Sequence, residues 1–371
     1  MHIDSIEVFH VALPLRRPQA SPCGPLDALQ TVLVRMESGG VYGWGEASPG
    51  TAPLTGSEWA AGVFGCVRDW LAPALVRTQV ESGAELQQRL AAFQGNQFAK
   101  AALDTAWWDL EARLRGEPLH RTLGGQREAI EVGVGFDRME TIDQLIDALR
   151  GTFEAGFARA ELKFRPGWDI YMLNEVRHEF PIETIHIDCD AGLKLDHMEI
   201  LLRLDDFHLA MVEQPLPADD LVGHAMVQES LRTPISLDEA ITTVDQLEIA
   251  IELHSGRFVN IKPGRVGGLT PAQRMHDRCR EAGTPCWVGA VPQSAIGARI
   301  GYALAAKPNF AYPADLSPPP DWLAEDLGDV PQPARDGADG KLRIALWSEP
   351  GIGMDPDRER LERRCLAKAT V

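Results

Sequence analysis

Five charged residues recur at nearly even spacing along the middle of the sequence: Lys163, Asp188, Glu213, Asp238 and Lys262. Successive members lie 24 or 25 residues apart, and each stands near the end of a short apolar segment. One strand with its following helix occupies about this length, so the five side chains are expected at the same end of successive parallel strands. In barrel enzymes that end carries the active site.

The three carboxylates at the centre of this series, Asp188, Glu213 and Asp238, form a set of hard oxygen ligands. Mg²⁺ prefers such ligands and retains water positions that a substrate can occupy. No histidine or thiolate in the series completes a zinc set. The series therefore predicts a magnesium site.

The two lysines of the series, Lys163 and Lys262, flank the predicted metal and can reach opposite faces of a substrate. A proton α to a carboxylate is very weakly acidic, so a base needs a metal that stabilises the ene-diolate. A lysine base must also be neutral, and a dication or a second ammonium nearby lowers its ordinary pKa of about 10.4. Taken singly, these residues are often helix caps or solvated side chains, but the joint spacing favours α-proton abstraction.

The segments that must position these residues alternate between strands and helices from about residue 130. One helix is predicted to begin at Thr141, with Gln144 completing a capping box. Strands alternating with helices indicate parallel βαβ units, and eight strands indicate a closed α/β barrel. The eight strand candidates are EVGVGF, ARAELKF, TIHIDCD, LAMVEQP, TPISLDE, RFVNIKP, TPCWVGA and NFAYPA.

The residues before this region predict a separate α+β domain. Alternating segments near the N-terminus predict antiparallel strands, and apolar spacing predicts a helix over about 99–115. We expect an α+β domain over 1–128, the barrel over 129–325, and a C-terminal segment over 326–371 that returns towards the first domain. Within that last segment, KLRIALW predicts a strand that leaves the barrel.

Composition excludes several classes of function. Acidic residues outnumber basic ones 54 to 36, and a net charge of -18 disfavours nucleic acids and anionic membranes as partners. No apolar run approaches the roughly 20 residues that span a bilayer. The six cysteines form no CxxC pair, and zinc-protease, serine-hydrolase and phosphate-loop motifs are absent. We expect a cytoplasmic homo-oligomer with reduced thiols that acts on a small carboxylate.

Several motifs resemble the muconate lactonizing enzyme subgroup of the enolase superfamily, particularly o-succinylbenzoate synthases that also act as N-acylamino acid racemases. They are GWGEAS, ELKFRPGWD, HIDCD, MVEQPL, ISLDEAI and VNIKPGRVGG. The resemblance implies a (β/α)7β TIM-like barrel with an α+β N-terminal capping domain, whose loops at about 15–27 and 48–57 close over the substrate. It also implies Mg²⁺ bound by the three carboxylates, with Lys163 and Lys262 as the acid/base pair.

Three positions depart from the family pattern. Glu161 stands where the family has the first lysine of Lys-x-Lys, Asp190 replaces the asparagine of Asp-x-Asn, and Gln293 replaces a seventh-strand glutamate. Glu161 either is a structural substitution that binds a different polar partner, or it changes the charge of the substrate that the site tolerates near the base. Asp190 is expected beside the metal ligands rather than as a fourth ligand. Glu239, next to Asp238, is expected either to orient Lys262 or to cap the following helix.

The leading functional prediction is an o-succinylbenzoate synthase-like dehydration or an N-acylamino acid racemisation. The alternatives are a muconate cycloisomerase-like reaction and dipeptide epimerisation, although the segment PADLSPP has Asp315 but no Asp-x-Asp pattern. A hypothesis of another class is a barrel that has lost catalysis and only binds a metabolite, since fold alone does not fix function.

Overall fold

A computed structural model of the chain describes residues 1–54, 56–319, 322–335, 337 and 339–371. It begins with a long antiparallel meander whose alternating apolar residues are buried on both faces. The strands of this part are β1 (Ser5–Gln19), β2 (Leu26–Ser38) and β3 (Val41–Ala47). The helices that follow are α1 (Ala60–Cys66), α2 (Gly83–Leu90), α3 (Gln97–Arg115) and α4 (Leu119–Thr122), with a π-helical turn over Val67–Leu71 after α1.

Helix α3 packs directly on strand β3 because two glycines of the strand leave room for it. A Cβ atom at Gly43 would lie 2.2 Å from the backbone nitrogen of Leu110, and one at Gly45 would lie 2.2 Å from the carbonyl oxygen of Ala102. The helix ends where the sequence predicts, since Gly116 adopts φ +70° and accommodates a left-handed cap. This contact orients β3 and the loop after it.

Eight parallel strands form the barrel, as expected for the predicted enolase-type (β/α)7β fold class, which is confirmed. The barrel closes between its last two strands through hydrogen bonds from Ala311 N to Cys286 O and from Asp315 N to Val288 O. The strands are β4 (Ala129–Phe136), β5 (Ala160–Lys163), β6 (Ile185–Asp188), β7 (Val212–Glu213), β8 (Ile235–Leu237), β9 (Phe258–Asn260), β10 (Cys286–Trp287) and β11 (Ala314–Asp315), and β11 pairs with β4.

Helices surround the barrel, and side-chain caps begin most of the long ones. Thr141 accepts a hydrogen bond from Gln144 N at the start of the first, and Thr243 forms a reciprocal capping box with Gln246. The helices are α5 (Ile142–Ala155), α6 (Ile170–Glu179), α7 (Met198–Arg203), α8 (Leu221–Ser230), α9 (Val244–Leu253), α10 (Pro263–Val266), α11 (Leu269–Ala282) and α12 (Ala295–Ala305), with 3₁₀ turns over Leu195–His197 and Leu204–Phe207.

The C-terminal residues contact both halves of the molecule. Strand β12 (Ala334–Arg335) pairs with β13 (Leu342–Ala345), and β13 pairs antiparallel with the barrel strand β4. The expectation that KLRIALW leaves the barrel is therefore wrong, because its backbone bonds satisfy the free edge at the start of β4. Helix α13 (Arg358–Arg364) and strand β14 (Cys365–Thr370) then reach the first domain, where β14 pairs with β1. No helix among the described residues is long and apolar enough to cross a bilayer.

Three buried carboxylates of the N-terminal domain bind backbone amides of the rest of the chain. Glu46 accepts hydrogen bonds from the amides of Ser294 and Gly297 at the start of α12. Asp104 accepts one from Thr270 N at the start of α11, and Asp109 accepts one from Ile352 N. Free amides and the positive end of the helix dipole favour carboxylates at helix N-termini. These bonds hold the first domain against the barrel.

Candidate active site

The structure brings the five evenly spaced residues together at the carboxyl ends of the barrel strands. Lys163, Asp188 and Glu213 are the last residues of β5, β6 and β7, and they are direct neighbours in the sheet register. Asp238 follows β8 by one residue, and Lys262 follows β9 by two. All three carboxylates are buried.

Lys163 lies among carboxylates on its side of the site. Its Nζ atom is 2.6 Å from Asp188 Oδ2, 2.8 Å from Asp190 Oδ1 and 3.5 Å from Glu161 Oε1. Burial by itself would lower the pKa of Lys163, but these carboxylates outweigh burial and hold its pKa well above the ordinary value. A cation on the carboxylates would compete with the ammonium for them and so favour the neutral amine.

Lys262 lies on the opposite side, 2.7 Å from Asp238 Oδ2. Arg265 donates to the other oxygen of Asp238, and its second terminal nitrogen lies 3.4 Å from Glu239 Oε1. Burial lowers the pKa of Lys262, but the negative charge of Asp238 reverses the direction and raises it. Thr243, not Glu239, caps the following helix. The negative charge of Glu239 also contributes to the raised pKa of Lys262.

Glu213, at the end of β7, lies between a side chain of the neighbouring strand β6 and one of β9, two strands away. Its Oε1 atom accepts a 2.7 Å hydrogen bond from Asn260, whose own oxygen accepts from Gly289 N. Its Oε2 atom is buried, lacks a hydrogen-bond partner among the described residues, and lies 3.4 Å from His186 Nε2. Burial and the charges of Asp188 and Asp238 raise the pKa of Glu213 well above its ordinary value.

Asp188 and Glu213 are costly to keep ionised without a cation, whereas burial of Asp238 is outweighed by Arg265 and Lys262, which lower its pKa. Burial and neighbouring carboxylates also raise the pKa of Asp188 to about 7. An unpartnered buried oxygen on Glu213 and mutually repelling carboxylates fit a divalent cation such as Mg²⁺. Glu161, His186 and Glu213 additionally offer ligand atoms within 4.8 Å of one another, so the site contains a buried group suited to metal binding.

Glu161 faces the barrel interior beneath Lys163. Its carboxylate lies 3.5 Å from His186 Nε2 and 3.7 Å from the guanidinium of Arg159, which is completely buried and also binds Asp315. Burial would raise the pKa of Glu161, but His186, Lys163 and Arg159 together lower it below its ordinary value. This carboxylate is therefore ionised and held in place by cationic and polar partners.

Gln293 and the capping loops lie around the mouth. Gln293 and the buried Ser48 line a small cavity that also includes Lys262. Gln19, at the end of β1, lines a second cavity beside Glu161. The capping domain thus contributes side chains from both predicted loop regions, although Thr55 of the second loop lies outside the described residues.

Four residues of the site carry little signal in the sequence: Arg159, His186, Asn260 and Arg265. His186 lies near the carboxylates, 3.4 Å from Glu213 Oε2, although it is not a member of the evenly spaced series. Its signal was its position two residues before Asp188, which places both side chains on one face of the strand. Asn260 stands in the same relation to Lys262. Arg265 reaches Asp238 from the turn after β9, which periodicity does not predict.

Comparisons with known proteins agree with this geometry. Residues 3–124 match the family model of the mandelate racemase / muconate lactonizing enzyme N-terminal domain, and residues 144–360 match the enolase C-terminal domain-like model. An o-succinylbenzoate synthase of Geobacillus kaustophilus is 36% identical, covering 98% of this chain and 96% of that protein. An N-succinylamino acid racemase of Amycolatopsis is 34% identical over the full length of both.

A solved structure is similar along the whole chain. It is an enolase-superfamily protein from Enterococcus faecalis V583, with a TM-score of 0.91 and 30% identity, covering 100% of this chain and 99% of that one. The likeness therefore includes the N-terminal domain, the barrel and the C-terminal strand that joins them.

Proposed function

Because this chain belongs to the mandelate racemase / muconate lactonizing enzyme family, an enzyme family of the enolase superfamily, we propose that it removes the α-proton of a small carboxylate. The reaction is either an o-succinylbenzoate synthase-like dehydration or the racemisation of an N-acylamino acid. The observation that carries the proposal is the placement of Lys163 and Lys262 on opposite sides of three buried carboxylates.

Asp188, Glu213 and Asp238 hold Mg²⁺ in this proposal. When bound, the ion would supply positive charge that stabilises the negative charge developing on the substrate carboxylate. Lys163 Nζ takes the proton from one face, and Lys262 Nζ stabilises the ene-diolate or returns a proton on the other face. Residues of the N-terminal domain line the cavities at the barrel mouth and so restrict the access of water to the reacting atoms in this proposal.

The relatives support both reactions, since one is named for the synthase and the other for the racemase. Muconate cycloisomerase-like and dipeptide epimerase reactions use the same proton abstraction and remain alternatives. A barrel that only binds a metabolite is the alternative of a different class.

The test is proton exchange in D₂O. We expect the protein with Mg²⁺ to exchange the α-proton of at least one member of a panel of succinylbenzoate precursors, N-acylamino acids and dipeptides, as followed by proton NMR. Exchange should stop in excess chelator and return when Mg²⁺ is added. Tight metal binding with no exchange of any compound would favour the binding-only barrel instead.

A further inference from the structure

A cavity of about 210 Å³ opens beside the lysine of β5, between the barrel mouth and the capping domain. Glu161 and Asp315 line it from the strands, Gln19 from the capping domain, and Trp322 from the loop after the barrel. Val291 lines both this cavity and the smaller one that includes Lys262. We call the larger one the acidic cavity.

The acidic cavity carries two carboxylates, and none of the described residues that line it is lysine, arginine or histidine. Beneath the surface, Arg159 lies between the two, 3.7 Å from Glu161 and in direct contact with Asp315, and His186, whose pKa is lowered by burial, lies 3.5 Å from Glu161. One buried positive charge does not neutralise two negative charges. The nearby Lys163 is closer to Asp188 and Asp190 than to Glu161, and its charge is shared among these carboxylates. The cavity therefore keeps an excess of negative charge.

The acidic cavity also lies close to Lys163, the proposed base. Glu161 and Lys163 are two residues apart on one face of β5, so their Cα atoms are roughly 7 Å apart along the strand, and Lys163 Nζ lies 3.5 Å from Glu161 Oε1. A substrate whose α-carbon lies beside Lys163 therefore directs a side chain of three or four methylenes towards Glu161. Trp322 offers apolar surface for such a chain, and its ring can contact a cation.

We infer that the acidic cavity receives an ammonium or guanidinium group at the end of the substrate's side chain. This inference rests on the proposed function and narrows it to N-acylated amino acids with a cationic side chain. Glu161 and Asp315 provide the negative charge, and Gln19 provides an amide oxygen as an additional acceptor. An uncharged side chain of the same length gains none of these contacts.

The direct test compares pairs of N-acetylamino acids that differ only in side-chain charge. We expect kcat/KM for α-proton exchange in D₂O to be at least about tenfold higher for N-acetyl-lysine than for N-acetyl-norleucine, and likewise for arginine against citrulline. Equal values for the charged and neutral members would overturn the inference while leaving proton abstraction intact. If no compound exchanges, the proposed function fails, and the ratio of dissociation constants from calorimetry tests the cavity alone.

Two variants test whether the preference for a cationic side chain arises in the acidic cavity. Glu161→Gln should reduce the lysine-to-norleucine ratio severalfold, and Gln19→Lys should reduce it by placing a cation in the cavity from the capping side. The exposed Gln88→Lys makes the same charge change on helix α2 and serves as the control. A ratio that falls equally in the Gln88 variant, or that falls in neither cavity variant, would contradict the assignment.

Discussion

Each lysine nitrogen of the site lies within hydrogen-bond distance of a carboxylate that is also a proposed metal ligand. Lys163 is 2.6 Å from Asp188, and Lys262 is 2.7 Å from Asp238. Positive charge on the lysines and positive charge on a metal therefore compete for the same oxygens. This competition couples metal binding to the protonation state of both lysines.

The first prediction concerns the three carboxylates. Asp188→Asn, Glu213→Gln and Asp238→Asn should each weaken Mg²⁺ binding at least about tenfold, because each removes an ionised oxygen ligand. Isothermal titration calorimetry measures the affinity, and circular dichroism checks that the barrel folds. Asp205→Asn is the matched control, since Asp205 binds the amides of Arg232 and Thr233 away from the site. Affinity unchanged in all three variants would refute the metal assignment.

The second prediction concerns Glu161, whose carboxylate is ionised and 3.5 Å from Lys163. Glu161→Lys should raise kcat/KM for succinylbenzoate-type dianions relative to monoanionic N-acylamino acids, because it replaces repulsion of the second carboxylate with attraction. Glu161→Gln, which removes the charge without reversing it, should give an intermediate ratio. A ratio within about twofold of wild type, or roughly 0.4 kcal/mol, would make Glu161 a purely structural substitution.

Among the site residues, the sequence predicts those that recur once per strand, but it does not predict those that lack this spacing. Lys163 and Lys262 are predictable because the length of a strand and helix converts chain distance into position around the barrel. His186 lies beside Glu161 because β5 and β6 pair, Arg159 binds Asp315 of a different strand, and Arg265 reaches Asp238 because of one turn. Those contacts depend on tertiary packing.

At the scale of elements, helix N-termini join the two domains. The amides at the start of α11 and α12 bind Asp104 and Glu46 of the first domain. Burial raises the pKa of Asp104 from 3.8 to about 6, despite hydrogen bonds from Gln87 and Thr270. The folded protein therefore keeps a proton on this carboxyl group that the unfolded chain releases above about pH 4.

The third prediction follows from the sign of that shift. Since the folded pKa lies above the unfolded one, the contribution of Asp104 to the free energy of unfolding is full below about pH 4 and falls as the pH rises to about 6. The free energy of unfolding of the wild type minus that of Asp104→Asn should therefore decrease by up to about 3 kcal/mol as the pH rises across this window. Urea unfolding at several pH values measures it, with Asp219→Asn as an exposed control. A constant or increasing difference would contradict the prediction.

Elements were predictable to different degrees. The long helix α3 and the capped helix α5 follow from apolar periodicity and capping residues. The eighth barrel strand is only two residues long, and it starts at the last residue of the predicted segment NFAYPA, because backbone pairing with β4 and β10 defines it. Strand β13 was placed wrongly because its partner is the start of β4, more than 200 residues earlier in the chain.

At the scale of the molecule, the N-terminal domain and the barrel share one site. Strand β14 fixes the C-terminus to β1, and the first domain contributes Gln19, at the end of β1, and Ser48, in the loop after β3, to cavities at the barrel mouth. The lysines and carboxylates lie on rigid strand ends, whereas the covering residues lie on loops. The barrel strands therefore carry the catalytic residues together with Glu161 and Asp315 of the acidic cavity, and the first domain adds further residues that contact the substrate in our proposal.

The central claim is that two lysines act on opposite faces of one α-carbon. The direct measurement is deuterium exchange and racemisation of both enantiomers of an N-acylamino acid by Lys163→Ala and Lys262→Ala, at saturating Mg²⁺. Wild type should exchange both enantiomers and racemise them. Each variant should lose racemisation at least about a thousandfold and retain exchange for at most one enantiomer, because racemisation needs one base on each face. Unchanged racemisation by either variant would contradict the account.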